Sequence, residues 1–308
     1  MDGGFVAIDW GSSNFRAYRV GPSGKLLDRL ATADGVANME REGMVGAVDT
    51  VVSRWPPAAH ALFCCGMIGS SVGWTELPYL DCPIDPDEVA RRMTTMTIGD
   101  NVLRVSPGLT CRSVDGFPDV IRGEEVLCLG AIRSEERLRR GRGLLCLPGT
   151  HTKWVAIRDG AVRSFSTSLV GELYEALSTS SLLQHHLKGD AQVSEVFRLG
   201  VDYGASGGGL MRFLFSVRSR SVVGELAYED GASFASGILI GSDIRDAMDV
   251  YADLMGVSPL VLVGEAGLCE LYRAALEHLG QDAVVTPAEE ACIEGFKFIH
   301  DVIGGASQ

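Results

Sequence analysis

Short apolar strands alternating with helical segments predict an α/β protein, and a strand, small-residue turn and hairpin that occur twice predict two halves. A hydrophobic content of 46% over 308 residues supplies enough apolar side chain for two cores and rules out a disordered chain.

Residues 5–8 read as an apolar strand, Asp9-Trp10-Gly11-Ser12-Ser13-Asn14 as a polar turn, and FRAYRV (15–20) as a half-buried strand. The turn Gly21-Pro22-Ser23-Gly24 leads to a third strand over 25–30. Residues 61–65 form a strand that runs into the glycine-rich loop 66–71; 102–105 read as a strand and 124–132 as a helix. The charged stretch ending at Gly143 is the candidate linker, which places one domain over 1–140 and a second over 141–308. The opening plan then returns. Residues 144–147 are an apolar strand, Pro148-Gly149-Thr150-His151-Thr152 a tight turn, 153–157 a strand, Asp159-Gly160 a hairpin turn and 162–167 a further strand. Two unrelated hairpins would give the same pattern, so the repeat alone does not establish homologous halves. Helices follow over 171–177 and 233–248, then a buried strand over 260–263, the turn Gly264-Glu265-Ala266-Gly267, a helix over 268–279 and a strand over 283–285. Thr286-Pro287-Ala288-Glu289 reads as a capping box with proline at the first helical position, opening a last helix that is left free to pack back on the first domain.

Composition excludes several functions. A net charge of −13 leaves no basic face for nucleic acid, and the arginines between 133 and 142 are interleaved with Glu135 and Glu136. No apolar run approaches the ~20 residues of a membrane helix, and no secretory leader is visible. The eight cysteines form no C-x-x-C pair and sit among apolar neighbours, as reduced thiols of a cytoplasmic protein do. His185 and His186 are adjacent and would point apart, so no zinc site is expected.

The P-loop pattern is absent, so a nucleotide would need another phosphate cradle. Two turns of glycine and hydroxyl residues can supply one through backbone N–H groups and hydroxyls. Gly11, Ser12, Ser13 and Asn14 make the first candidate turn; Gly149, Thr150, His151 and Thr152 make the second, with Lys153 adding charge. Asp9, at the end of the first strand, is the candidate Mg²⁺ carboxylate, acting through water.

AIDWGSSNFRAYRV (7–20) and LPGTHTKWV (147–155) resemble the two phosphate motifs of the actin-like ATPases and sugar kinases. CGMIGSSVGW (65–74), VIRGEE (120–125), VGEL (170–173), LFSVRS (214–219) and SGILIG (236–241) resemble, in order, stretches of the 2-dehydro-3-deoxygalactonokinase family. The resemblance runs over nearly the whole chain. It implies two actin-like (ribonuclease H-like) domains with a nucleotide cleft between them. It also implies ATP and Mg²⁺ as cofactors and phosphorylation of 2-dehydro-3-deoxy-D-galactonate on its C6 hydroxyl, a step of galactonate catabolism. Gly264 and Gly267 resemble the superfamily's adenosine-binding turn, where the following helix N-terminus would face phosphate; an ordinary helix start accounts for Gly267 as well.

In related kinases the base is a carboxylate after a glycine at a helix start. Gly123-Glu124-Glu125 holds that place, which makes Glu124 the expected catalytic base, with Glu125 and Asp9 as rivals. Kinases of xylulose and glycerol carry Asp where this chain has Glu. The acceptor's carboxylate and keto group need donors. Arg122 and the loop carrying Gly66, Met67, Gly69 and Ser70 are expected to provide them, with Trp74 and Glu172 on the hydroxyls or carbon skeleton. Trp74 as core and Arg122 as a salt-bridge partner are the structural alternatives. A kinase of another sugar or keto-deoxy acid, or an actin-like ATPase switch with a protein partner, would share the phosphate turns. Whether the chain forms a homo-oligomer is left open.

Overall fold

The computed structural model describes residues 4–56, 61–257 and 260–305. The chain divides into two compact units. One holds the chain up to Gly141, the segment Ile157–Ser164 and the chain from Ala288 onward; the other holds Arg142–Ala156 and Phe165–Pro287.

The first unit opens with strands β1 (Phe5–Trp10), β2 (Phe15–Val20) and β3 (Leu26–Thr32), then helix α1 (Arg41–Arg54) and strand β4 (Ala61–Gly66). It continues through β5 (Tyr79–Asp81), α2 (Pro86–Arg91), β6 (Thr94–Ile98), β7 (Asn101–Val105), β8 (Gly108–Arg112), β9 (Pro118–Ile121), α3 (Glu124–Ser134) and α4 (Glu136–Arg140). Among the described residues its main sheet has the order β3-β2-β1-β4-β7-β6, and β5-β8-β9 form a small separate sheet. The opening meander is antiparallel, while β4 lies parallel to β1 and β7 parallel to β4. The inward positions of β1, β4 and α1, including Ile8, Trp10, Cys64 and Val48, form one apolar core.

The second unit contains β10 (Arg142–Leu147), β11 (Thr152–Arg158), β12 (Ala161–Ser168), α5 (Val170–Ser180), α6 (Glu195–Ala205), α7 (Leu210–Val223), α8 (Gly231–Val250), β13 (Leu260–Gly264), α9 (Ala266–His278) and β14 (Ala283–Pro287). The sheet order is β12-β11-β10-β13-β14, which repeats the plan of the first sheet: a meander reversed onto its first strand, then parallel strands. α6 and α8 cross at glycines. A Cβ on Gly237 would stand 2.2 Å from Phe197 O, and one on Gly204 2.2 Å from Ile238 O. The glycines of SGILIG therefore serve helix packing. The last helix, α10 (Ala288–Gly305), belongs to the first unit and packs on α3.

Two boundaries differ from expectation. Pro287 ends β14 and α10 begins at Ala288, so the proline closes a strand edge where its missing N–H costs nothing. The segment before Gly143 carries the short helix α4. The helices α1, α2, α6 and α7 and the strands β5, β6, β8 and β9 lie outside the elements read from the sequence.

Candidate active site

In the first unit, β1 and β4 end side by side, with Asp9 opposite Cys65 and Trp10 opposite Gly66. Ligands of open α/β sheets collect at such strand ends. Gly66 has φ +97°, and a Cβ there would stand 2.4 Å from Trp10 O. Gly123, the residue before α3, has φ +106°, and its Cβ would stand 3.1 Å from Gly66 Cα. Only glycines let the ends of β1 and β4 and the start of α3 meet this closely.

Asp9 is partly exposed, and Arg16 Nη1, opposite it on β2, lies 3.2 Å from its carboxylate. Burial raises the Asp9 pKa; Arg16 opposes that, and the nearby Glu124 carboxylate adds to it. The turn after β1 is closed by Gly11 N–H donating to Asn14 O at 2.9 Å, and the exposed Ser12, Ser13 and Asn14 face solvent.

Glu124 is the first residue of α3, half-buried, and accepts the Arg122 N–H at 3.0 Å. Glu125 is fully buried and accepts the Gly123 N–H. Burial pushes its pKa up to about 7. Of the adjacent pair, Glu124 alone keeps solvent access.

Arg122 is 8% exposed. Its Nη2 donates to Leu77 O at 2.7 Å and its guanidinium lies over the Tyr79 ring at 4.2 Å. Nη1 is buried with no hydrogen-bond partner. That atom faces the loop after β4: a Cβ on Gly69 would stand 3.1 Å from it. Within the loop, Ser70 Oγ donates to Met67 O at 2.7 Å, so its proton is committed. Arg41 holds Trp74 in place, donating to its carbonyl at 2.8 Å and lying over its ring.

In the second unit the turn between β10 and β11 packs under the start of α5. A Cβ on Gly171 would stand 2.5 Å from Gly149 O, and Glu172 N–H donates to Thr150 O at 2.9 Å. Glu172 pairs with His151 at 2.6 Å, both side chains partly exposed. Glu172, expected on the acceptor's hydroxyls or carbon skeleton, thus lies against the turn 149–152. Lys153 is buried and its Nζ donates to His151 O at 2.8 Å, which fixes the turn from below. Gly264 abuts the same turn, with Pro148 O 3.1 Å from where its Cβ would be. A cavity of about 450 Å³ is lined by Gly149 and Gly171 on one side and by Glu265, Gly267 and Leu268 on the other. The N-terminus of α9 does not stand open to phosphate: the Glu265 side chain caps it, accepting from Leu268 N at 3.1 Å. The backbone N–H groups of Gly267 and Leu268 hold the Glu265 carboxyl below its ordinary pKa.

Sequence reasoning misses two parts of this arrangement. Tyr79 lies far from Arg122 in sequence, and Asp243, which accepts from Trp154, Ser168 and Tyr272, follows SGILIG in a helix read only as apolar. Among the described residues no three His, Cys, Asp or Glu side chains form a metal cage, and no helix is long and apolar enough to cross a membrane.

The 2-keto-3-deoxy-galactonokinase family model matches residues 9–299. The chain is 35% identical to the probable 2-dehydro-3-deoxygalactonokinase DgoK1 of Rhizobium meliloti (strain 1021), covering 95% of each protein. It is 31% identical to the 2-dehydro-3-deoxygalactonokinase of Escherichia coli (strain K12), covering 97% of this chain and 98% of that one. A crystal structure from Sinorhizobium meliloti, assigned as a 2-dehydro-3-deoxygalactonokinase, superposes with a TM-score of 0.89 at 33% identity over 97% of this chain and 99% of that chain. The Acidaminococcus fermentans (R)-2-hydroxyglutaryl-CoA dehydratase component A shares the fold, with a TM-score of 0.53 at 12% identity over 99% of both chains.

Proposed function

The chain belongs to the 2-keto-3-deoxy-galactonokinase family and is a carbohydrate kinase of the actin-like α/β fold; from that premise we propose that it transfers the γ-phosphoryl group of ATP to the C6 hydroxyl of 2-dehydro-3-deoxy-D-galactonate. The products are ADP and 2-dehydro-3-deoxy-6-phosphogalactonate. The observation that carries this reading is the buried, unpartnered Nη1 of Arg122, which faces the Gly69 loop two residues from Glu124. A guanidinium edge left without a partner in a buried place is costly, and a carboxylate is its best complement. The sugar acid brings that carboxylate, and the keto oxygen falls to the backbone of loop 66–71.

Glu124 takes the C6 hydroxyl proton as the hydroxyl oxygen bonds to the γ-phosphorus. The bond from that phosphorus to the bridging oxygen of ADP breaks, so charge and atoms balance. Glu125 is turned into the core and holds Gly123 in place. Magnesium, when bound, neutralises charge on the transferring phosphates, and Asp9 would hold it through water. A partly exposed carboxylate at a strand end suits an ion that keeps most of its water ligands. Each unit offers phosphate a backbone turn of its own, 11–14 in the first and 149–152 in the second, and the 450 Å³ cavity of the second unit is assigned to adenosine. Buried free thiols such as Cys64, Cys128 and Cys146 suit the reducing cytoplasm.

The test is ADP release with 2-dehydro-3-deoxygalactonate and with its gluconate epimer, together with ¹³C NMR of the product. The expected result is acceptor-dependent ADP formation and phosphorus coupling at C6. Absence of ADP with both acids, or coupling at another carbon, would sink the reading.

A further inference from the structure

One buried carboxylate of the second unit joins the elements that line its cavity. Asp243, on α8, is 6% exposed. Its Oδ2 accepts from Trp154 Nε1 on β11 at 3.0 Å and from Tyr272 OH on α9 at 2.9 Å; its Oδ1 accepts from Ser168 Oγ at the end of β12. Burial raises the Asp243 pKa, and these three donors pull it back toward the ionised form. Tyr272 OH also lies 3.0 Å from Thr152 Oγ1, and both residues are fully buried.

The proton inventory fixes the direction of this chain. The Tyr272 hydroxyl donates to Asp243 Oδ2, and a phenol has one proton. Thr152 therefore donates to the Tyr272 oxygen. The Thr152 hydroxyl proton is committed and is not offered to a phosphate. Thr152 instead ties down the end of the turn that carries Gly149 and Thr150. Ser168 lies just before α5, whose Gly171 packs on Gly149 O and Thr150 Cα. Asp243 is thereby bonded to both supports of the turn. α9 and α8 themselves give Leu268, Leu271, Leu239 and Ile240 to the cavity wall.

We infer that Asp243 is a positioning residue for the nucleotide: through Tyr272 and Thr152 it locks the second phosphate turn to α9, and through Ser168 it fixes the start of α5. This rests on the reading that the cavity takes ATP. A fully satisfied buried network holds its members rigidly, and a preformed site loses less ordering entropy on binding. Loosening the network should therefore appear as weaker nucleotide binding while sugar-acid binding holds.

Calorimetric titration with the magnesium complex of a non-hydrolysable ATP analogue tests this on the full chain. Tyr272→Phe keeps the ring and removes the relay oxygen; it should weaken analogue binding about tenfold. Thr152→Val should do the same, Thr152→Ser should restore wild-type binding, and the Tyr272→Phe/Thr152→Val pair should cost no more than either alone. The KM for the sugar acid should stay within about twofold, since Tyr272 and Thr152 lie in the second unit and the acid's proposed receptor, Arg122 and loop 66–71, in the first. Wild-type analogue affinity in both Tyr272→Phe and Thr152→Val would overturn the inference, as would a sugar-acid KM that rises in step with the analogue Kd. Asp243→Asn should weaken analogue binding as well; if it fails to fold, Tyr272→Phe and Thr152→Val decide between these outcomes. A wild-type protein that binds the sugar acid but no analogue would instead overturn the reading of the cavity, and the inference with it.

Discussion

Arg122→Met isolates the charge of the proposed carboxylate receptor from its bulk. Methionine keeps an apolar stem against Tyr79 and Leu77 but removes every donor. A charge-assisted hydrogen bond to a carboxylate contributes about 1.5–3 kcal/mol, so the KM for the sugar acid should rise roughly 10- to 150-fold. The KM for ATP should not move, and kcat should fall little, because the carboxylate is held equally in ground and transition states. The effect on stability is expected to be small because two changes offset each other. The substitution leaves Leu77 O without its 2.7 Å donor, which costs free energy. It also removes the buried Nη1 that has no partner, which offsets that cost. Steady-state kinetics with both substrates varied, alongside thermal unfolding, separates the outcomes. An unchanged sugar-acid KM would refute the receptor assignment. A large fall in Tm with proportional loss of both KM values would show that Arg122 serves packing through Tyr79 instead. An acceptor analogue with its carboxylate reduced to an alcohol should bind wild type and variant equally weakly.

Three further outcomes are expected. Glu124→Gln should lower kcat by roughly 10²–10⁴ with the fold intact by circular dichroism, the range for loss of a general base; a near-normal kcat would remove it from that role. Gly123→Ala must hold φ +106° and press a Cβ against Gly66 Cα at 3.1 Å. It should cost about 1–2 kcal/mol or more in unfolding free energy and reduce kcat as α3 shifts, measured by urea denaturation and kinetics. Glu125, raised by burial from 4.5 to about 7, binds more protons in the folded than in the unfolded chain between those values. Stability should therefore fall as pH rises through that window, by on the order of 3 kcal/mol. Glu125→Gln should flatten the urea midpoint over the same range, and an unchanged slope would remove Glu125 as its source.

The features legible in the sequence are those that local chemistry dictates. A strand, a bend of glycine and hydroxyl residues and a hairpin carry their signal within a few residues, so both small-residue turns and the strands beside them are readable; their phosphate role is a proposal. Glu124 is marked by the glycine before it, but neighbouring carboxylates look alike in a sequence. Only the turn of α3 decides that Glu125 points into the core. Arg122 stands out through its neighbours, yet its partner Tyr79 comes from the small β5-β8-β9 sheet, whose short strands leave little periodicity. Asp243 is invisible because its three donors come from β11, β12 and α9, which are far apart along the chain. Glu265 shows the opposite failure. Its place before a helix suggests an open anion site, whereas its own carboxylate fills that end.

The order in which the chain visits its two units has a consequence for how it is made. The apolar side of α3, with Val126, Leu129 and Gly130, finds its partner in α10, and the entire second unit is encoded between them. A ribosome must hold that face uncovered while those intervening residues emerge. A product halted just before Ala288 is expected to expose this apolar face and to aggregate, a consequence of the threading rather than of the strength of any contact.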